Sequence, residues 1–356
     1  MMTKIYFVLP VSGGGGGAHS VVQEATAMRG MGVDVAILVN EKNIAKFRRT
    51  YSRFAWLQTG AISFSGPKQL GTLIADGDYC IATTNTSAHS VAEALSSSPS
   101  DCRPYYYVQD YEPLFYDVGS EPYNIALSSF TILRNWSFFA KTRWLQNIVR
   151  AAHSLEVTRV TPSIDQSVYF PARHTKSSER RTLVAMVRPS TPRRAPRRTM
   201  RTLARLAAQH PDTLEIVAFG TTQAELSQHG IPHYPGIELA GVLSQSSVAD
   251  LLQRADYFLD LSDYQAFGRT AAEAMACGTV ALAPRLGGSV EFIEDGVSSF
   301  LADTHDEGAV VDTVERMLSM SQSELVDMQI AAIEAVSGFT PTNAAISEFR
   351  ALGMSY

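Results

Sequence analysis

Cysteine is scarce in this chain of 356 residues: Cys80, Cys102 and Cys277 are too few and too scattered for a disulfide framework or a thiolate metal site. Long apolar runs are missing as well. No stretch reaches the length of a membrane-crossing helix, and the N-terminus passes into a strand-like run, Lys4 to Leu9, without a cleavage-site pattern. A cytoplasmic protein is therefore expected. Positive charge is not in excess, since 30 Lys and Arg against 35 Asp and Glu give a net charge of -5, which argues against a general nucleic-acid binder. Metal-ligand spacings fail on inspection. Pro232 breaks the helix that His229 and His233 would need, and Asp76-Gly77-Asp78 precedes its strand, where it reads as a turn. Neither a metal nor a cofactor is expected.

A length of 356 residues and a hydrophobic content of 45% allow two domains, each with its own core. The most informative stretch runs from Tyr257 to Gly288. An apolar strand (Tyr257, Phe258, Leu259, Leu261) leads into a loop ending at Phe267-Gly268. A helix then runs from Thr270 to Cys277, Gly278 stops it, and a second strand follows from Thr279 to Ala283. The loop lies at the carboxyl end of a strand, where doubly wound sheets bind ligands. Amides of Gly268, Arg269 and Thr270 at the helix start suit a phosphate, and Glu273 one turn on suits a sugar hydroxyl or is an ordinary first-turn acid. A second glycine loop, Leu286-Gly287-Gly288-Ser289, stands before an apparent helix at Val290 to Ile293 and offers further backbone donors to the same ligand.

Upstream, the strand Leu183 to Val187 runs into Arg188-Pro189-Ser190-Thr191-Pro192-Arg193-Arg194-Ala195-Pro196-Arg197-Arg198. The prolines hold these cations on a loop until about Arg197. A cationic loop at a strand's carboxyl end is placed to take a diphosphate and to stabilise a leaving nucleotide, with Arg188 and Arg193 the candidates. Arg197, Arg198 and Arg201 read as a solvated patch. In the N-terminal half, Gly13 to Gly17 separate the first strand from a helix at His19 to Met28. No third glycine and no acid after the second strand, Val33 to Val39, complete a dinucleotide fingerprint, which argues against a nicotinamide dehydrogenase. After the strand Tyr105 to Val108 comes Gln109-Asp110-Tyr111-Glu112-Pro113, an acidic and aromatic segment that can meet a sugar. Lys42 to Leu57 mixes basic with apolar and aromatic residues, as a solvated, partly packed helix or one resting on anionic lipid would.

Taken in order, these segments resemble retaining GT-B glycosyltransferases of the family-4 type. The carrying residues are Phe267, Gly268, Glu273, Ala274, Met275, Ala276, Cys277 and Gly278, which match the family's motif, and the resemblance extends over nearly the whole chain. It implies an α/β chain of two Rossmann-like domains facing across a cleft. Residues 1–172 would bind the acceptor and 173–337 the nucleotide sugar, with a polar linker at 172–179 and a last helix in 338–356 returning to the first domain. It also implies a donor site of Gly16, Gly17, Gln265, Phe267, Gly268, Arg269, Thr270 and Glu273. Arg188, Arg193, Asp110 and Glu112 would be catalytic, and His19, Gln109 and Tyr111 would contact the acceptor. The partners implied are a nucleotide-diphosphate sugar and a saccharide or lipid-linked saccharide; residues 42–57 are, from their composition, the candidate for peripheral membrane contact.

Two positions depart from the family pattern. Gln265 replaces the first glutamate of the motif, and Gln109 stands near a position where the family commonly has a histidine for the sugar's 6-hydroxyl. Both fall on the sugar side. The Q-D-Y-E and R-P-S-T-P-R-R segments resemble those of bacterial surface-polysaccharide rhamnosyltransferases of the WsaF type, and rhamnose lacks a 6-hydroxyl. The implied donor is dTDP-L-rhamnose. The alternatives are another UDP- or GDP-sugar, an enzyme that epimerises or hydrolyses its donor, and a sugar-nucleotide-binding protein whose turnover Gln265 has impaired.

Overall fold

The computed structural model describes residues 4–132, 135–171 and 180–354. The linker expected at 172–179 lies outside them. The chain forms two compact units, Met1–Ser163 with Phe339–Tyr356, and Ile164–Gly338.

The first unit is built on a parallel sheet of β1 (Ile5–Val8), β2 (Val35–Asn40), β3 (Ala61–Phe64), β4 (Tyr79–Ala82), β5 (Arg103–Val108), β6 (Ser137–Ala140) and β7 (Val157–Arg159), in the order β3-β2-β1-β4-β5-β6-β7. Strands such as Ile5–Val8 and Tyr79–Ala82 are apolar and buried along their whole length, because helices cover both faces of a parallel sheet. The order reverses between β1 and β4. Ligands of such sheets bind at that point, beyond the carboxyl ends of the strands, and the glycine loop after β1 lies there.

The helix Pro341–Ala351 belongs to this unit although the whole second unit lies between it and Ser163 in the chain. Ala345, Phe349 and Leu352 join the core formed by β1, β2 and the helix Gly16–Gly30. Thr161 N–H donates to Ser347 Oγ of this helix at 2.8 Å. Beside Glu348 lies a buried polar cluster in which Lys141 is 3.2 Å from the Glu24 carboxylate, which also accepts hydrogen bonds from Ser163 and Tyr107. Burial and the neighbouring Glu24 push the Glu348 carboxyl well above its ordinary range, so it stays protonated in this cluster.

The second unit repeats the plan with β8 (Arg181–Met186), β9 (Leu214–Phe219), β10 (Ile237–Gly241), β11 (Tyr257–Leu259), β12 (Val280–Pro284) and β13 (Phe300–Ala302), in the order β10-β9-β8-β11-β12-β13. All pairings are parallel, and the reversal falls between β8 and β11. The arginine loop follows β8 and the Asp260–Gly268 loop follows β11. Sheet order therefore makes neighbours of two loops that are far apart in the chain.

One local expectation changes, and of the two readings of 42–57 the partly packed helix is the one seen, over a shorter span. The stretch read as a helix at Val290 to Ile293 is a short 3-10 turn, Gly288–Glu291, with no room for a full helix before Asp295 engages Leu301. Residues 42–57 form the helix Glu41–Thr50 and a short following turn, with Phe47, Tyr51 and Leu57 packed into the unit's own core and Lys42, Lys46, Arg49 and Arg53 on the exposed side.

Candidate functional site

In the second unit the helix Arg269–Ala276 begins at Gly268, whose φ of +95° is the left-handed conformation that glycine adopts without strain. A Cβ at Gly268 would stand 2.6 Å from Ser289 Oγ, so space as well as conformation selects glycine. No side chain caps this helix. The first-turn amides, including those of Arg269 and Thr270, are the donors that a helix leaves without intrahelical acceptors, and the helix dipole adds positive potential there. Phe267 is buried against Phe292, at 5.3 Å between ring centres, and serves to seat the loop.

Glu273, one turn in, is 5% exposed. Arg269 approaches its carboxylate at 3.4 Å. Burial raises its pKa from 4.5 to about 7. Arg269 and a hydrogen bond from Tyr169 pull against that rise, while Asp165 adds to it. Tyr169 is buried too, which holds its hydroxyl in the neutral, donating form. The carboxylate is thus poised near neutrality and kept in place from two directions. Nothing in the sequence around 273 announced Tyr169, which arrives from far upstream, before β8.

The arginine loop lies beside this helix start in the sheet order. Arg188 is exposed, and its side chain makes no hydrogen bond or ion pair among the described residues. The Arg193 guanidinium stands 5.8 Å from the centre of the Tyr264 ring, and its carbonyl accepts from Asp263 N–H at 2.9 Å, which ties the two loops together. The arginines read as a solvated patch are instead engaged. Arg197 donates to the carbonyls of Gly230 and His229, Arg198 to Leu261 and Asp263, and Arg201 to Glu307.

Gln265 is 4% exposed. Its side-chain amide donates to Asp260 Oδ2 at 2.5 Å and to Ser262 Oγ at 3.1 Å. Its backbone carbonyl accepts from Gly288 N–H at 2.7 Å. Gly287 sits so close that a Cβ would fall 2.0 Å from that carbonyl oxygen. Within the second glycine loop the Gly288 amide thus braces Gln265 and is not left over for a ligand. Asp260, 6% exposed and 3.8 Å from Arg194, was not singled out from sequence. The available signal was an acid directly after β11, at a strand's carboxyl end.

In the first unit, Gly16 and Gly17 open the helix Gly16–Gly30. A Cβ at Gly17 would meet Gln109 Oε1 at 2.8 Å, so these two residues are in direct apposition, and Gln109 Nε2 donates to the Thr83 carbonyl at 3.3 Å. His19 Nδ1 is 3.0 Å from Tyr51 Oη, which also accepts from Gly14 N–H at 3.3 Å. Asp110 accepts from the Tyr111 amide. Tyr111 is buried with its hydroxyl 3.1 Å from His153 Nε2. Glu112 accepts from Asn85 N–H at 2.6 Å, where the helix Asn85–Ser97 begins. The structure brings Gly16, Gly17, His19 and Gln109 together beyond β1 and β5, and it gives Tyr111 and Glu112 architectural partners.

Among the described residues no group of three or more His, Cys, Asp or Glu is placed to hold a metal ion, and no helix is long and apolar enough to cross a membrane.

Comparison with known proteins bears on the second unit first. Residues 180–320 match the family model described as "Glycosyl transferases group 1". A D-inositol 3-phosphate glycosyltransferase of Mycobacterium sp. (strain KMS) is 30% identical over 205 residues, 53% of this chain and 45% of that protein. The chain thus spans less than half the length of this curated relative. The N-acetyl-alpha-D-glucosaminyl L-malate synthase of Bacillus anthracis is 38% identical over 74 residues, 21% of this chain and 19% of that protein. Among solved structures, Anabaena HepE in complex with UDP and glucose superposes with a TM-score of 0.75 over 99% of both chains at 16% identity. TarM does so with 0.77 over 100% of this chain and 99% of its own at 11%. The fold is GT-B, with one parallel-sheet α/β domain of seven strands and one of six among the described residues.

Proposed function

We propose that this chain is a retaining glycosyltransferase that moves a sugar from a nucleoside diphosphate to a hydroxyl of a saccharide or lipid-linked saccharide. The observation that carries the reading is the uncapped start of the helix Arg269–Ala276, with Glu273 held one turn in and the arginine loop adjacent in the sheet. The diphosphate is taken by the amides of Gly268, Arg269 and Thr270 and by Arg188 and Arg193. Glu273 takes a ribose hydroxyl, and Gln265 faces the sugar. As the glycosidic bond breaks, negative charge grows on the leaving phosphate, and the two arginines stabilise it there. The leaving phosphate itself draws the proton from the incoming hydroxyl. His19, Gln109 and Asp110 hold the acceptor side, with Gly16 and Gly17 allowing close approach of backbone.

The donor is proposed to be dTDP-L-rhamnose. What supports it is Gln109, which lies against Gly17 and Thr83 where the resembled family commonly carries a histidine for a 6-hydroxyl. HepE was solved with UDP and glucose, which makes UDP-glucose the competing donor. The reaction would proceed in the cytoplasm. Because Phe47, Tyr51 and Leu57 pack inside the unit, any contact of residues 42–57 with an anionic membrane would be electrostatic, through Lys42, Lys46, Arg49 and Arg53.

Calorimetric titration with dTDP-L-rhamnose, UDP-glucose, GDP-mannose and the free nucleotides tests both levels. Binding of a nucleotide sugar that Glu273→Ala weakens by roughly 1.5–3 kcal/mol supports the site. The tightest ligand identifies the donor. A folded wild type that binds none of them overturns the reading.

A further inference from the structure

Gln265 stands where the resembled family carries a glutamate, and its surroundings explain how an amide is held there. An aspartate carboxylate can only accept, so the Gln265 nitrogen, not its oxygen, must face Asp260 at 2.5 Å. The same nitrogen lies 3.1 Å from Ser262 Oγ, and Ser262 in turn donates its hydroxyl and its amide to Asp260 Oδ1. Both amide hydrogens of Gln265 are therefore accounted for, and Oε1 makes no hydrogen bond among the described residues. The backbone is pinned as firmly, through Gly288 N–H and the close approach of Gly287. A glutamate in place of Gln265 would bring two carboxylates to hydrogen-bonding distance in a buried site, with Arg194 at 3.8 Å as a cation beside them and the next acid, Asp263, already engaged by Arg198.

We propose that Asp260 is a positioning residue that fixes the Gln265 amide so that Oε1 alone is presented, as an acceptor for a hydroxyl of the transferred sugar. This rests on the donor site proposed above and adds a specificity determinant to it. The arrangement leaves one acceptor oxygen at that place, in a fixed direction. Position 265 then discriminates among sugars by hydroxyl placement.

Three variants decide it: Asp260→Asn, Gln265→Glu and the double variant. Asparagine can donate or accept, so in Asp260→Asn the Gln265 amide is free to turn over. Binding of the nucleotide sugar preferred by wild type should fall at least threefold, with the free nucleotide within twofold. In Gln265→Glu the pair of carboxylates can share one proton at acid pH, which leaves an oxygen facing outward as in wild type, and both are ionised at alkaline pH. Its affinity relative to wild type should therefore be near one at pH 6 and fall at least tenfold by pH 8, and its melting temperature relative to wild type should fall over the same range. In the double variant the introduced asparagine amide donates to the introduced carboxylate, and affinity and melting temperature should return to near wild type at both pH values. The melting series needs no ligand. If wild type binds dTDP-L-rhamnose or UDP-glucose but the double variant is no better than Gln265→Glu, or free nucleotide and nucleotide sugar lose equally, the positioning role is wrong while the donor site stands. If wild type binds neither probe, the donor site itself fails.

Discussion

The two units meet the same problem, backbone brought close at the carboxyl end of a parallel sheet, and solve it differently. In the second unit the close approach is backbone to backbone: Gly287 lies on the Gln265 carbonyl, and the loops after β11 and β12 are locked together. In the first it is backbone to side chain: Gly17 lies on the end of Gln109, which can move. The contrast teaches that the proposed nucleotide side is preorganised by fixed atoms, whereas the proposed acceptor side rests on adjustable ones. Rigid placement suits a ligand portion common to every turnover, and it is the half whose residues match a sequence family.

The sharpest test of this difference is Gly287→Ala. Gly287 has φ 116° and ψ -151°, a region open to glycine almost alone, and its new Cβ would meet a carbonyl oxygen at 2.0 Å. Strain of about 1–3 kcal/mol for the backbone and a similar amount for the overlap should lower the melting temperature of the second unit by roughly 4–24 °C. A melting curve that does not move would show that the loops can part without cost, and the claimed rigidity would fail.

Next in size is the pH dependence set by Glu273. Its folded-state pKa of about 7 lies above the ordinary 4.5, so the native state retains a proton that the unfolded chain gives up. The contribution to stability is fully present below about pH 4.5 and is lost as pH rises through 7, with a slope of at most about 1.4 kcal/mol per pH unit. Glu273→Gln should flatten that part of the curve. Nucleotide-sugar binding should run the other way and strengthen as pH rises through 7, since the ionised carboxylate is the stronger acceptor of a ribose hydroxyl. Chemical denaturation and calorimetry between about pH 5 and 8 measure both, and parallel trends in the two would remove Glu273 from the ribose.

The uneven legibility of the sequence follows the same division. The strand, loop and helix from Tyr257 to Cys277 could be read directly, because apolar runs, a stop at Gly278 and a helix start are local signals, whereas the pair of parallel-sheet domains was implied by the resemblance those residues carry. What stayed hidden is what the sheet order creates. Asp260 acquires meaning only when β8 is placed beside β11, which brings Arg194 and the arginine loop to it. Tyr169 reaches Glu273 from before β8, and Glu112 caps a helix that begins 27 residues before it. In the Gln109 to Pro113 segment composition suggested a sugar contact for every polar residue, and composition does not register that a buried tyrosine needs a partner such as His153 or that a helix start needs an acceptor.

The smallest effect on stability, and the most informative about the first unit, is expected for Gly17→Ala. An alanine inside a helix ordinarily gains up to about 1 kcal/mol over glycine, and the opposing cost here is displacement of a flexible side-chain end, with Oε1 at 2.8 Å, Cδ at 3.1 Å and Nε2 at 3.2 Å from the new methyl. The two should nearly cancel, leaving the melting temperature close to wild type. Gln109 must nevertheless leave its bond to the Thr83 carbonyl. If Gln109 lies against the acceptor, KM for the acceptor should rise several-fold while free-nucleotide binding in the second unit is untouched. Unchanged kinetics in a protein of unchanged stability would place the acceptor elsewhere on the unit and would reduce the glycines after β1 to a fold requirement, Gly13 included, whose Cβ would strike the Tyr51 ring at 2.6 Å.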